Sequence, residues 1–186
     1  MRVEVIPNFV TQEEITALNE WAEEGVKNKW LDKGRTNGGV TPMRLTSRLY
    51  PDRYEYPQFV KDLSKKIRSF VGVDGYSVVY GHGRDGVVVS YTLPGGDVFK
   101  HKDPAITEGL AILRCNIVTQ KADTGGELYV GDALVNVGVG DLHCYLASEH
   151  EHFVTTVEGN TPRILWMFGA HVPADDWNSR KIKVQQ

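Results

Sequence analysis

From Gly72 onward the chain consists of short runs rich in β-branched and aromatic residues, each ended by glycine or a polar turn. The runs are Tyr76 to Tyr80, Val87 to Tyr91, Leu110 to Val118, Glu127 to Val130, Ala133 to Val137, Leu142 to Leu146, Phe153 to Val157 and Arg163 to Phe168. Such residues suit a pleated, half-buried surface. Runs of this length and spacing predict an all-β sandwich or barrel. Gly125-Gly126 and Val130-Gly131-Asp132 supply hairpin turns.

The first seventy-odd residues read as mostly helical. Thr11 and Glu14 form a capping-box pattern, and Ile15, Leu18, Trp21 and Ala22 follow at helical spacing. Gly25 and the polar stretch after Lys27 end that helix, and Asp32 to Gly39 reads as a mobile loop. Pro57 opens a second helix with an apolar stripe of Phe59, Leu63, Ile67 and Phe70. Lys61, Lys65, Lys66 and Arg68 lie off the stripe and form a solvated face. With no linker or repeat, the expected organisation is a single domain over 1–186: helical support over 1–72, a β-core over 73–172 and a C-terminal tail over 173–186.

A length of 186 residues suits one core, and 41% hydrophobic with 24% charged residues is an ordinary globular balance. The formal net charge of −3 argues against a nucleic-acid partner. Cys115 and Cys144 are too few for a disulfide framework and read as small buried apolar residues in reducing surroundings. Without a signal peptide or a run of membrane-spanning length, the expectation is a cytoplasmic protein with no membrane partner. The oligomeric state is not legible.

The chemistry-bearing residues are His101, Asp103, His152 and Arg163. His101 and Asp103 are i and i+2, which on a strand point to one face while Lys102 points away. Two imidazoles and a carboxylate can hold Fe(II) on one face and leave about three positions open. His150 competes with His152 as distal ligand, although His152 opens the β-branched run. His143 sits on a predicted strand and reads as packed there; His82 and His171 have no motif context. Trp166 reads as core.

Three blocks of sequence carry a resemblance. Tyr91-Thr92-Leu93-Pro94-Gly95-Gly96-Asp97-Val98-Phe99-Lys100-His101-Lys102-Asp103 is the first. Arg114-Cys115-Asn116-Ile117-Val118 followed by Gly125-Gly126-Glu127-Leu128 is the second. His152-Phe153-Val154-Thr155-Thr156-Val157-Glu158-Gly159 with Arg163 is the third. Together they resemble the prolyl-4-hydroxylase-like branch of the 2-oxoglutarate- and Fe(II)-dependent dioxygenases, over roughly residues 76 to 170. The interval from His152 to Arg163 is slightly longer than usual in that branch, with Asn160-Thr161-Pro162 as the extra bulge.

The resemblance implies a mainly β fold, a double-stranded β-helix or jelly roll with two or more N-terminal supporting helices. It implies Fe(II) on His101, Asp103 and His152, with 2-oxoglutarate as cosubstrate anchored by Arg163, O2 as oxidant, and room for ascorbate as an accessory reductant. Tyr91, Asn116 and Thr119 are further cosubstrate-binding candidates. The implied activity is hydroxylation of a prolyl or other residue, or of a small molecule, with release of succinate and CO2. The loop Asp32 to Gly39 and the stretch Arg48-Leu49-Tyr50 are positioned as a lid. A non-catalytic jelly-roll domain that binds a metal or small ligand would keep the triad without needing Arg163. A cupin-like hydrolase or isomerase using Zn or Mn would favour extra histidines.

Overall fold

The computed structural model describes residues 1–36, 39–47, 54–78, 86–105 and 108–185. His82 and the Arg48-Leu49-Tyr50 stretch lie outside the described residues. The elements in chain order are β1 (Val3–Ile6), α1 (Gln12–Lys27), β2 (Asp32–Thr36), β3 (Gly39–Thr46), α2 (Gln58–Val71), β4 (Val88–Thr92), β5 (Val98–His101) and β6 (Ala111–Gln120). They continue with β7 (Thr124–Gly125), β8 (Leu128–Val130), β9 (Ala133–Val135), β10 (Leu142–Leu146), β11 (His152–Val154), β12 (Val157–Glu158), β13 (Arg163–Val172) and α3 (Ala174–Asn178).

The capping box of α1 forms as expected: Glu14 N–H donates to Thr11 Oγ1 at 3.2 Å and Thr11 N–H donates to Glu14 Oε2 at 2.8 Å. Gly25 does not end the helix. A Cβ there would fall 2.2 Å from Nε1 of Trp30, so the glycine lets the indole pack against the helix. Helix α2 follows Pro57 and ends on Gly72, whose φ of 79° is the left-handed stop that glycine takes most easily. Its buried face is Val60, Leu63, Ile67 and Val71, with Phe59 left exposed, so the stripe is rotated from the one read in the sequence.

Among the described residues the strands form antiparallel sheets. The large one runs β1-β10-β6-β13-β4-β3-β2, and a smaller one runs β5-β11-β8-β9. One face of the large sheet carries α1 and α2 over a core that includes Leu18, Ala22, Val60, Ile67, Leu113, Cys115, Ile117, Trp166 and Phe168. Trp166 sits 5.4 Å from Trp21, ring to ring, inside a cluster with Tyr56. The other face meets the small sheet across a second core of Ile112, Val118, Val130, Tyr145, Ala147 and Leu165. Side chains of this size are worth about 1.5–3 kcal/mol each when fully buried. Two facing antiparallel sheets with helices outside form the jelly roll.

The N-terminal region departs from the sequence reading in one respect: it is not only helical support. It contributes β1 at one edge of the large sheet and β2 with β3 at the other. The segment read as a mobile loop enters the structure as β2, paired to β3, with 37–38 outside the described residues. Its polar residues suit an edge strand, where one side of the ladder needs no apolar neighbour. The C-terminal stretch carries α3, whose Trp177 is fully buried, and Ile182 joins the helix-side core.

Candidate active site

His101 and His152 are far apart in sequence but are direct cross-strand partners where β5 pairs with β11. Opposed residues on one face of an antiparallel pair bring their side chains together, and here the imidazole centroids are 4.3 Å apart. Asp103 lies just past β5, held by its backbone N–H to the carbonyl of Ala147 at 2.9 Å. Its Oδ1 is 3.6 Å from His101 Nε2. One donor atom from each of His101, Asp103 and His152 lies within 4.8 Å of the others. Lys102 is exposed, as the i, i+2 argument requires.

The donor chemistry follows from hydrogen bonding. His101 Nδ1 faces the carbonyl of Phe99 at 2.8 Å, and His152 Nδ1 faces the carbonyl of His150 at 3.1 Å. A carbonyl only accepts, so each Nδ1 carries a proton and each Nε2 is left as the nitrogen turned to the metal position. Burial first, and His101 against the opposing pull of Asp103, lowers the His152 pKa to about 4, which keeps that ring neutral. Burial alone would raise Asp103, but the Arg114 guanidinium, then His101 and His152, hold it well below the usual carboxylate range. The trio therefore offers two imidazole nitrogens and one carboxylate, the donor set that suits a ferrous ion with open positions. His150 serves through its backbone carbonyl, and its ring is outside the trio.

Arg163 starts β13 and is 3% exposed. Register places it across from Thr92 of β4, which in turn faces Arg44 of β3. Among the described residues no carboxylate pairs with Arg163; the charged or titratable groups that act on it are Arg44 and Tyr145. Burial first, then Arg44, lowers its pKa to about 10. The extra residues Asn160-Thr161-Pro162 are absorbed in a turn held by the Asp123 carboxylate, which accepts from Asn160 N–H at 2.7 Å and from Thr161 Oγ1 at 2.5 Å.

The remaining sequence candidates divide between the two faces of the large sheet. Asn116 is 2% exposed, pairs across strands with His143 and Met167, and has an Oδ1 with no partner. Its strand neighbours Cys115 and Ile117 belong to the helix-side core, so Asn116 faces the interior between the sheets. Tyr91 does not join it. The Tyr91 ring packs in the helix-side core, where burial and Glu23 of α1 raise its pKa. Thr119 is the extra residue of a β-bulge, between Val118 paired to Leu165 and Gln120 paired to Ile164, and its carbonyl accepts from Asn19 of α1.

Tyr145 is one residue that sequence reasoning missed. It lies on the inner face of β10, with its ring 5.3 Å from that of His152. Burial first, then Asp103, raises its pKa, while Arg114, Arg163 and Arg44 pull the other way. The phenol thus feels both Asp103 and Arg163 across the interior between the sheets. His143 is fully buried on the same face, 6.3 Å from Tyr145 ring to ring.

Solved structures share this arrangement of sheets. The viral collagen prolyl hydroxylase of Paramecium bursaria Chlorella virus-1, in complex with 2-oxoglutarate, superposes with a TM-score of 0.64 at 15% identity, over 92% of this chain and 96% of that one. A Pseudomonas putida prolyl-4-hydroxylase gives 0.69 at 14%, over 91% and 92%. The fold is that of the prolyl hydroxylases. A Trichoplax adhaerens prolyl hydroxylase, bound to a peptide fragment of the hypoxia inducible factor degradation domain, gives 0.68 at 14%, over 98% and 87%. No protein-family profile and no curated protein matches the sequence. Among the described residues no helix is long and apolar enough to cross a membrane.

Proposed function

We propose that this chain is an Fe(II)- and 2-oxoglutarate-dependent oxygenase that hydroxylates a prolyl or other residue of a peptide, or a small molecule. The observation that carries the reading is Arg163. A guanidinium buried to 3% exposure with no carboxylate partner among the described residues is costly, and it shares one interior with a trio of metal-type donors. A domain that only bound a metal would have no use for it. A dicarboxylate reaching from the trio to the guanidinium accounts for both.

His101 and His152 offer Nε2 lone pairs and Asp103 offers Oδ1, so these three would hold the ion. The ion and the keto acid, when bound, supply the oxidising chemistry, with O2 consumed and succinate and CO2 released. Arg163 would take the far carboxylate through its planar fork. Asn116 and Tyr145, lining the interior between the two ends, would orient the chain of the cosubstrate. The apolar core between the two sheets keeps bulk water from these groups and strengthens each of these contacts.

The test is succinate formation from 2-oxoglutarate by protein supplied with Fe(II) and air, with and without proline-containing peptides. Succinate above the protein-free level, lost in Asp103→Ala and raised by one of the peptides, is the expected result. Absence of succinate under every condition would leave a binding domain and overturn the reading.

A further inference from the structure

Resting on the metal-centre reading above, we infer that Arg114 is a positioning residue that keeps Asp103 a one-oxygen ligand and so keeps the oxygen-binding position of the metal open. Arg114 lies within β6 between the buried apolar residues Leu113 and Cys115, with its side chain 11% exposed. Its Nε and its Nη2 each reach Asp103 Oδ2 at 2.7 Å. Both contacts fall on the same oxygen. The other oxygen, Oδ1, is the one turned towards His101 Nε2 at 3.6 Å. The register explains why the guanidinium reaches Asp103. The cross-strand partners of Arg114 are Tyr145 and Gly169, and the glycine presents no side chain on that flank.

Coordination counting gives the division of oxygens its meaning. An octahedral ion held by two imidazoles and one carboxylate oxygen has about three positions left, enough for a chelating keto acid and one more ligand. If the carboxylate chelated through both oxygens, the keto acid would fill what remained and oxygen would have no place to bind. Nothing in a free aspartate prevents chelation, since both oxygens carry lone pairs. Here two charge-assisted N–H donors occupy the lone pairs of Oδ2, and such bonds are short and about twice as strong as neutral ones. The Arg114 charge also makes Asp103 a weaker donor to the metal. Holding the position open therefore costs metal affinity.

The test uses Mn(II), which binds this kind of donor set without redox chemistry, and counts exchangeable waters on the bound ion by water-proton relaxation. The wild-type protein should show about three. Arg114→Met should show one fewer, because Asp103 is freed to chelate, and should bind Mn(II) several-fold more tightly. Arg114→Lys, which keeps a charge and one donor, should return part of the way to the wild-type count. A wild-type count one lower than expected overturns the inference even if Arg114→Met does not fold. So does an unchanged count in a folded Arg114→Met. A protein that binds no Mn(II) at all removes the metal centre itself, a failure of the broader reading that the titration reports separately.

Discussion

Replacing Arg163 with methionine should stabilise the ligand-free protein and at the same time cripple keto-acid binding. The guanidinium is 3% exposed, and burial with Arg44 draws its pKa from its ordinary value down to about 10. At about 1.4 kcal/mol per pKa unit, that fall corresponds to roughly 3 kcal/mol spent on holding an unpaired charge in the interior. Methionine fills similar space without the charge, so an unfolding free energy higher by about 1–3 kcal/mol is expected, visible as a rise of several degrees in Tm. Removing one partner of a buried ion pair costs about 3–5 kcal/mol, so the Kd for 2-oxoglutarate should rise by a hundredfold or more. Mn(II) affinity should hardly change, because Arg163 is not among the donors. Thermal unfolding without ligands, followed by calorimetric titration with Mn(II) and then with 2-oxoglutarate, measures all three quantities. A large loss of stability, or a parallel loss of metal and keto-acid affinity, would refute the reasoning by making Arg163 a structural residue.

Burial first, then Arg163, holds the His143 pKa down at about 3 against an ordinary 6.5. The folded state thus refuses a proton that the unfolded chain accepts below 6.5, so stability is whole above that pH and falls by about 1.4 kcal/mol per pH unit down to about 3. His143→Leu should flatten this acid limb in urea titrations run at several pH values, and an unchanged slope would count against the buried neutral ring. Tyr145→Phe should weaken 2-oxoglutarate binding by about 3- to 10-fold, the worth of one hydrogen bond, while Tyr91→Phe should leave it unchanged; the reverse pattern would show that the inner and outer faces of the sheet have been exchanged. Gly169 has φ of 154°, and a Cβ there would meet the Leu113 carbonyl oxygen at 2.1 Å. Gly169→Ala should therefore cost about 2–4 kcal/mol of stability, and a neutral effect in the urea midpoint would contradict that close approach.

The jelly roll was legible because its strands are short, β-branched and punctuated by glycine, and α1 because its capping box precedes a helical stripe. The inward face of each strand was not. Every residue of β4 and of β10 is buried, so neither strand shows the polar–apolar alternation that tells one face from the other. Tyr91 and Tyr145 are indistinguishable on those grounds, and only strand register puts the first against the helices and the second between the sheets. The bulge at Thr119 breaks the alternation of β6 in the same way. Asp-Lys-Gly-Arg-Thr of β2 has no apolar period and so predicts a loop, yet an edge position asks for none. His101, Asp103 and His152 could be named as candidates from residue type and spacing, while the pairing of β5 with β11 that brings the two imidazoles together is a long-range contact. Arg114 carried a signal that went unused: a lone cation inside the run Leu113 to Val118 has to be paired.

The most direct measurement is a titration of Fe(II)-loaded protein with 2-oxoglutarate in the absence of oxygen, followed by visible absorption. A keto acid chelated to ferrous iron absorbs visible light by charge transfer from the metal. The expected result is a band that saturates at one keto acid per iron in the wild-type protein and disappears in both His152→Ala and Asp103→Ala. A band that persists unchanged in either variant, or keto acid bound at the same affinity whether or not iron is present, would contradict a single centre built from His101, Asp103 and His152.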